Sequence, residues 1–141
     1  MTGALVLIGT LVLASALGLA LRARNGRIRT AGPAEVTTGL PEDIRNALAP
    51  NAAVTLVQLS TTFCAPCRQA RVLLADLAAR TDGLHHTELD LTDRPDLARE
   101  LSVLRTPTTL AIDGRGTELL RVGGVPRRDA LLEALRPHLS E

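Results

Sequence analysis

Lysine, tryptophan and tyrosine are missing from these 141 residues, and phenylalanine occurs once, at Phe63. A core without aromatics has to be filled by Leu, Val, Ile and Ala. Cysteine occurs only at Cys64 and Cys67, too few for a small secreted scaffold stapled by disulfides. The formal net charge is +1, so nothing suggests a nucleic-acid partner. A lone Cys-x-x-Cys could be half of a zinc site. Zinc usually takes four ligands, however, and only His85, His86 and His138 could supply the others, at spacings unlike those of known zinc sites. No metal is therefore expected.

Charge is also missing from Thr2 to Leu21, where the chain reads TGALVLIGTLVLASALGLAL. Twenty helical residues at about 1.5 Å each cover about 30 Å, the thickness of a bilayer's hydrocarbon core. The stretch is expected to be an uncleaved, single-pass membrane anchor, residues 1–21. A cleaved signal peptide is the alternative, since Ala14-Ser15-Ala16 has the small-x-small pattern of a cleavage site. Against it stand the uncharged start, the length of the apolar run and a basic cluster on the wrong side. That cluster, Arg22, Arg24, Arg27 and Arg29, contains no acid. By the positive-inside rule it places the following domain on the cytoplasmic face of the cell membrane, with an extracytoplasmic domain as the alternative. Residues 22–39 read as a basic juxtamembrane linker, because Asn25 to about Thr38 has no apolar periodicity and contains Pro33. Residues 40–141 form the folded domain.

Within that domain, Pro41 to Leu48 fits a short helix, with proline and acids in its first turn. Val54 to Leu59 (VTLVQL) has the pattern of a strand buried on both faces. It delivers the chain to Phe63-Cys64-Ala65-Pro66-Cys67-Arg68, which opens a helix from Ala65 to Arg80 whose buried face carries Cys67, Ala70, Leu74, Leu77 and Ala78. Two thiols three apart at a strand-to-helix junction can close a small disulfide ring. Free helix N–H groups and the positive end of the helix dipole favour an anion there, so Cys64 is expected to ionise more readily than a free cysteine. Arg68, one turn on, adds positive potential. Cys64 is the candidate nucleophile, and Cys67, deeper in the helix, the candidate resolving thiol. A purely structural disulfide is the bland alternative, although so short a loop gives little chain-entropy stabilisation.

Leu84 to Leu91 reads as a strand, on which His85 and His86 point to opposite faces and cannot ligate one ion together. Both are taken as structural or surface residues. A short helix at Pro95 to Leu101 follows. Thr109 to Ile112 and Thr117 to Val122 are strands joined by the turn Asp113-Gly114-Arg115-Gly116. Arg127 to Leu139 closes the domain as a helix whose last turn Pro137 is expected to fray.

The order βαβα followed by ββα resembles the thioredoxin-like α/β fold, a central mixed sheet flanked by helices, here preceded by one transmembrane helix. Phe63-Cys64-Ala65-Pro66-Cys67-Arg68 is similar to the family's aromatic-Cys-Gly-Pro-Cys-basic active site, and Thr106-Pro107-Thr108 to its loop with a cis-proline facing the cysteines. Gly123 matches the glycine before the last helix. The resemblance implies a substrate groove walled by Phe63, Cys64, Ala65, Pro66, Thr106, Pro107 and Gly123. It also marks departures. Phe63 stands where Trp is usual, and Gln58, six residues before Cys64, stands where the family often has a buried Asp that helps move the resolving thiol's proton. A neutral amide cannot take that proton.

The function implied is a membrane-tethered thiol-disulfide oxidoreductase, more a reductant than an oxidant, acting on protein disulfides. It needs no bound cofactor, and an upstream dithiol supplies its electrons. The competing class is a non-catalytic module that uses the same groove to bind a peptide or a metal.

Overall fold

The computed structural model describes residues 2–30 and 39–139. Its elements run α1 (Thr2–Arg24), β1 (Arg27–Thr30), α2 (Glu42–Ala47), β2 (Val54–Ser60), α3 (Ala65–Ala79), β3 (Leu84–Asp90), α4 (Pro95–Glu100), β4 (Thr108–Asp113), β5 (Glu118–Gly123) and α5 (Arg128–Leu139). β2 is the hub, and all seven of its residues are buried. It pairs parallel with β3 and antiparallel with β4, which pairs antiparallel with β5, giving the strand order β1-β5-β4-β2-β3.

Alternation along β2 feeds two cores. Val54 and Leu56 join Ala70, Leu74 and Leu77 of α3 and Leu131 and Leu135 of α5. Val57 and Leu59 join Ile44 of α2, Leu97 of α4, and Leu110 and Ile112 of β4. Helices thus cover both faces of the sheet, and aliphatic side chains fill both layers. Leu74 is fully buried. Leu74→Ala is expected to lower unfolding free energy by about 2–5 kcal/mol, read from denaturant midpoints, because the neighbouring leucines can only partly collapse into the space it leaves.

The chain departs from its sequence pattern in two places. First, the stretch taken as linker contains β1, whose register sets Arg27 opposite Gly123 and Ile28 opposite Val122. A single isoleucine between arginines leaves no periodic signal; the backbone groups on the free edge of β5 make this segment a strand. Gly26 turns the chain into it with φ +71°, and a Cβ there would lie 2.5 Å from the Val125 carbonyl oxygen. The rest of the supposed linker, 31–38, lies outside the described residues. Second, α5 continues through Pro137 to Leu139. So near the C-terminal end, proline forfeits one backbone hydrogen bond without breaking the remaining turn.

α1 runs three residues past Leu21, and among the described residues it alone is long and apolar enough to cross a membrane. None of its side chains is buried in the protein.

Candidate functional site

β2 ends at Ser60, and four residues later Cys64 is the N-cap of α3. Cys64 takes extended backbone angles, and its Sγ accepts a hydrogen bond from the Cys67 N–H at 3.2 Å, as capping side chains do. Ala65 and Pro66 fill the first turn, where the missing proline N–H costs nothing. The two sulfurs are joined in a disulfide with the Cα atoms 5.2 Å apart. Cys64 retains 8% exposure against 1% for Cys67, so an incoming sulfur reaches Cys64 first.

The rim around this disulfide is apolar. Phe63 is 98% exposed, and Ala65 and Pro66 are exposed beside it. Arg68 is exposed in the first turn of α3 and has no ion-pair partner among the described residues. The Thr106–Pro107 peptide bond is cis. Thr106 Oγ1 shares a hydrogen bond with Thr61 Oγ1 at 3.3 Å, which ties the proline loop to the segment leading into Cys64. The Gly124 N–H donates to the Pro107 carbonyl at 2.7 Å and brings Gly123 to the same end of the sheet. A Cβ on Gly123 would lie 3.3 Å from Arg105 Nε, so the arginine side chain lies over the glycine. Leu104 is 97% exposed on the same loop and carries no signal in sequence, since an isolated leucine in a loop is distinguishable from core only once its burial is known.

Beneath the disulfide, Gln58 is fully buried, and its Nε2 donates to the Cys67 carbonyl at 2.8 Å. That fixes its Oε1 toward His86, whose Nε2 lies 3.1 Å away and therefore donates. Thr109, directly opposite Gln58 in β4, is buried with its hydroxyl unpartnered among the described residues. One strand over, Glu88 accepts from Ser60 Oγ at 2.5 Å and from both Arg71 Nε and Nη2, which hold its carboxyl below the ordinary range. Of the two roles open to His86, structural or surface, the contact with Gln58 makes it the structural one. The contact was invisible in sequence because it depends on the parallel β2–β3 register.

Burial pushes the His86 imidazole below its ordinary value, a shift that the nearby Glu88 carboxylate opposes and that His85 and Arg71 reinforce. The unfolded chain therefore binds this proton more readily than the folded one. Stability is expected to be unaffected by His86 well above about pH 6.5 and to fall as the pH drops below that value. His86→Asn should flatten the fall in thermal midpoint between about pH 7 and about pH 5. An unchanged slope would exclude the imidazole as its source.

A Cys-x-x-Cys disulfide at a helix start, a cis-proline on a loop tied through Thr106 to the segment that leads into Cys64, and a mixed sheet covered on both faces define a thioredoxin-like domain. The model of the family "Thioredoxin" matches residues 36–137, and the chain belongs to that family. It is 30% identical over 97 residues to Thioredoxin-2 of Pyricularia oryzae, covering 68% of this chain and 56% of that protein. It is 32% identical over 81 residues to the bifunctional thioredoxin reductase/thioredoxin of Mycobacterium leprae, covering 57% of this chain and 18% of that one. The chain thus spans about half or less of the length of these curated relatives. Among solved structures, Chlamydomonas reinhardtii thioredoxin f2 superposes with a TM-score of 0.58 at 17% identity, over 72% of this chain and 95% of that one. Fasciola hepatica thioredoxin does so with 0.56 at 24%, over 68% and 91%. At these identities the likeness is one of fold.

Proposed function

We propose that this protein is a membrane-tethered reductant of protein disulfides. The observation that carries the reading is the Cys64–Cys67 disulfide at the start of α3, with the more exposed cysteine next to the exposed Phe63 and a cis-Pro107 loop tied to the segment before it.

In the reduced protein, the Cys64 thiolate attacks one sulfur of a substrate disulfide. That S–S bond breaks, its leaving thiolate takes a proton from solvent, and a mixed disulfide forms. Cys67 then loses its proton and attacks Cys64 Sγ. The Cys64–Cys67 disulfide closes, and the second substrate thiol leaves. Two electrons have passed to the substrate, and an upstream dithiol must return them. The exchange needs no bound cofactor. The exposed apolar rim suits an extended protein segment rather than a small polar thiol. The M. leprae relative, which joins a thioredoxin reductase to a thioredoxin, supports a reductase-type dithiol as the donor.

Residues 1–21 act as the anchor, and the catalytic domain takes in β1 as well as residues 40–141. Arg22, Arg24, Arg27 and Arg29 support a cytoplasmic position for that domain. To test the side of the membrane, the chain is expressed in a bacterial host and intact spheroplasts are treated with an impermeant reductant, then an impermeant thiol reagent. Protection of both cysteines until lysis is expected. Labelling before lysis would place the domain outside, fed with electrons across the membrane.

A further inference from the structure

We propose that the cavity between the end of α1, β1 and the start of α5 binds the phosphate of an anionic lipid headgroup. The proposal rests on the anchored reading above and deepens it. The cavity holds about 430 Å³, and Arg22, Arg27 and Arg127 line it, with Ala23, Ile28 and Ala130 as its apolar wall. Its arginines come from three different elements or their flanks, and no carboxylate lines it. None of the three forms an ion pair with a carboxylate among the described residues, whereas Arg71, Arg80, Arg94, Arg99, Arg121 and Arg128 all do.

Three like charges around one cavity repel one another, and an anion with several oxygens relieves that repulsion while matching the planar guanidinium fork. The depth fits a lipid. α1 spans about 34 Å at 1.5 Å per residue, so Arg22, near its end, stands at the level of the headgroups once the apolar run crosses a core of about 30 Å. The chemistry fits as well, with guanidinium for phosphate and Ala23, Ile28 and Ala130 for the glycerol and upper acyl carbons. Ala130 lies in the first turn of α5, whose free N–H groups add to the positive potential; the acid of that turn, Asp129, is exposed and does not line the cavity. A chain without Trp or Tyr has no aromatic belt to fix its depth, and arginine–phosphate contacts would take over that role.

The site also adjoins the groove. The Gly26 N–H donates to the Gly123 carbonyl at 2.9 Å, and Arg27 lies opposite Gly123. A lipid held by Arg27 therefore fixes the orientation of the groove relative to the bilayer, which favours substrates whose disulfides lie near the membrane surface.

The test uses the full chain in neutral detergent, with phosphatidylglycerol and phosphatidylcholine offered together and retained lipid read by native mass spectrometry. Preferential retention of one phosphatidylglycerol is expected. Arg27→Ser and Arg127→Ser should each weaken it about fivefold, as the surface energy of one arginine implies. Arg24→Ser and Arg29→Ser, at juxtamembrane positions outside the cavity, should leave it unchanged. Equal losses from all four would reduce the effect to diffuse surface charge and overturn the site. So would the lack of any lipid preference, or millimolar inorganic phosphate displacing the lipid, which would mark a soluble-anion site. Resistance of the same chain to carbonate extraction from vesicles reads the anchor separately. An anchored chain without lipid preference sinks this proposal alone, and an extractable chain sinks the anchored reading.

Discussion

Cys64→Ser is expected to reduce turnover of a protein disulfide to background, a loss of at least about three orders of magnitude, as for removal of other covalent nucleophiles. Serine keeps the size and the capping geometry, since its hydroxyl oxygen can accept the Cys67 N–H as Cys64 Sγ does at 3.2 Å. What it removes is the thiolate, which is the attacking species. The partner variant should fail differently. In Cys67→Ser the first attack still proceeds, because Cys64 is the cysteine with residual exposure. The mixed disulfide then has no thiol to resolve it and should accumulate as a covalent adduct visible on a non-reducing gel. If Cys67→Ser were silent and Cys64→Ser accumulated the adduct, the two roles would be exchanged. If neither variant lost turnover, the disulfide would be structural and the binding-module reading would stand.

Gln58→Asp should speed the second half-reaction, the decay of the mixed disulfide, by about tenfold or more, toward the lower end of what a positioned general base contributes. The wild-type side chain is fixed at both ends, by the Cys67 carbonyl at 2.8 Å and by His86 at 3.1 Å, and neither end of an amide accepts the Cys67 proton. A carboxylate in this fully buried position binds a proton more tightly than one in water, which brings it into the range of a useful base. The rate of the variant should therefore climb with pH as that carboxylate ionises. The gain has a cost: the Cys67 carbonyl loses its donor, worth about 1–3 kcal/mol of stability if it stays unsatisfied. Gln58→Glu, which keeps the length of the side chain, separates reach from basicity. Rapid quench of the mixed disulfide gives the rate. No acceleration in either variant would show that the sixth residue before Cys64 has no part in moving this proton.

Local patterns made most of the redox domain legible. The β-branched run before Cys64 marked β2, the 3-4 spacing from Cys67 to Leu77 marked α3, and Asp113 to Gly116 marked the β4–β5 turn, all within a residue or two of their observed bounds. Signals that depend on a partner elsewhere in the chain were not legible. β1 has too few residues to show a period and takes its conformation from the edge of β5, 90 or more residues away. Sequence left His86 open between a structural and a surface role, and the β2–β3 register decides it by setting the ring beside Gln58. Arg105 over Gly123 and the exposed Leu104 follow the same rule, since loop side chains acquire meaning only from what the loop is folded against.

The sequence by itself determined the chemistry available to this protein: one pair of thiols, a helix start to favour a thiolate, an amide where the family often carries an acid, and one apolar run long enough for a bilayer. Covalent structure and near-neighbour spacing are sufficient for each of these. Only the tertiary structure decided which cysteine keeps its exposure, that Gln58 is spanned between Cys67 and His86, and that the remote Arg127 meets Arg22 and Arg27 beside the edge of the groove. Burial and convergence arise from long-range packing, which brings together residues that no local period connects.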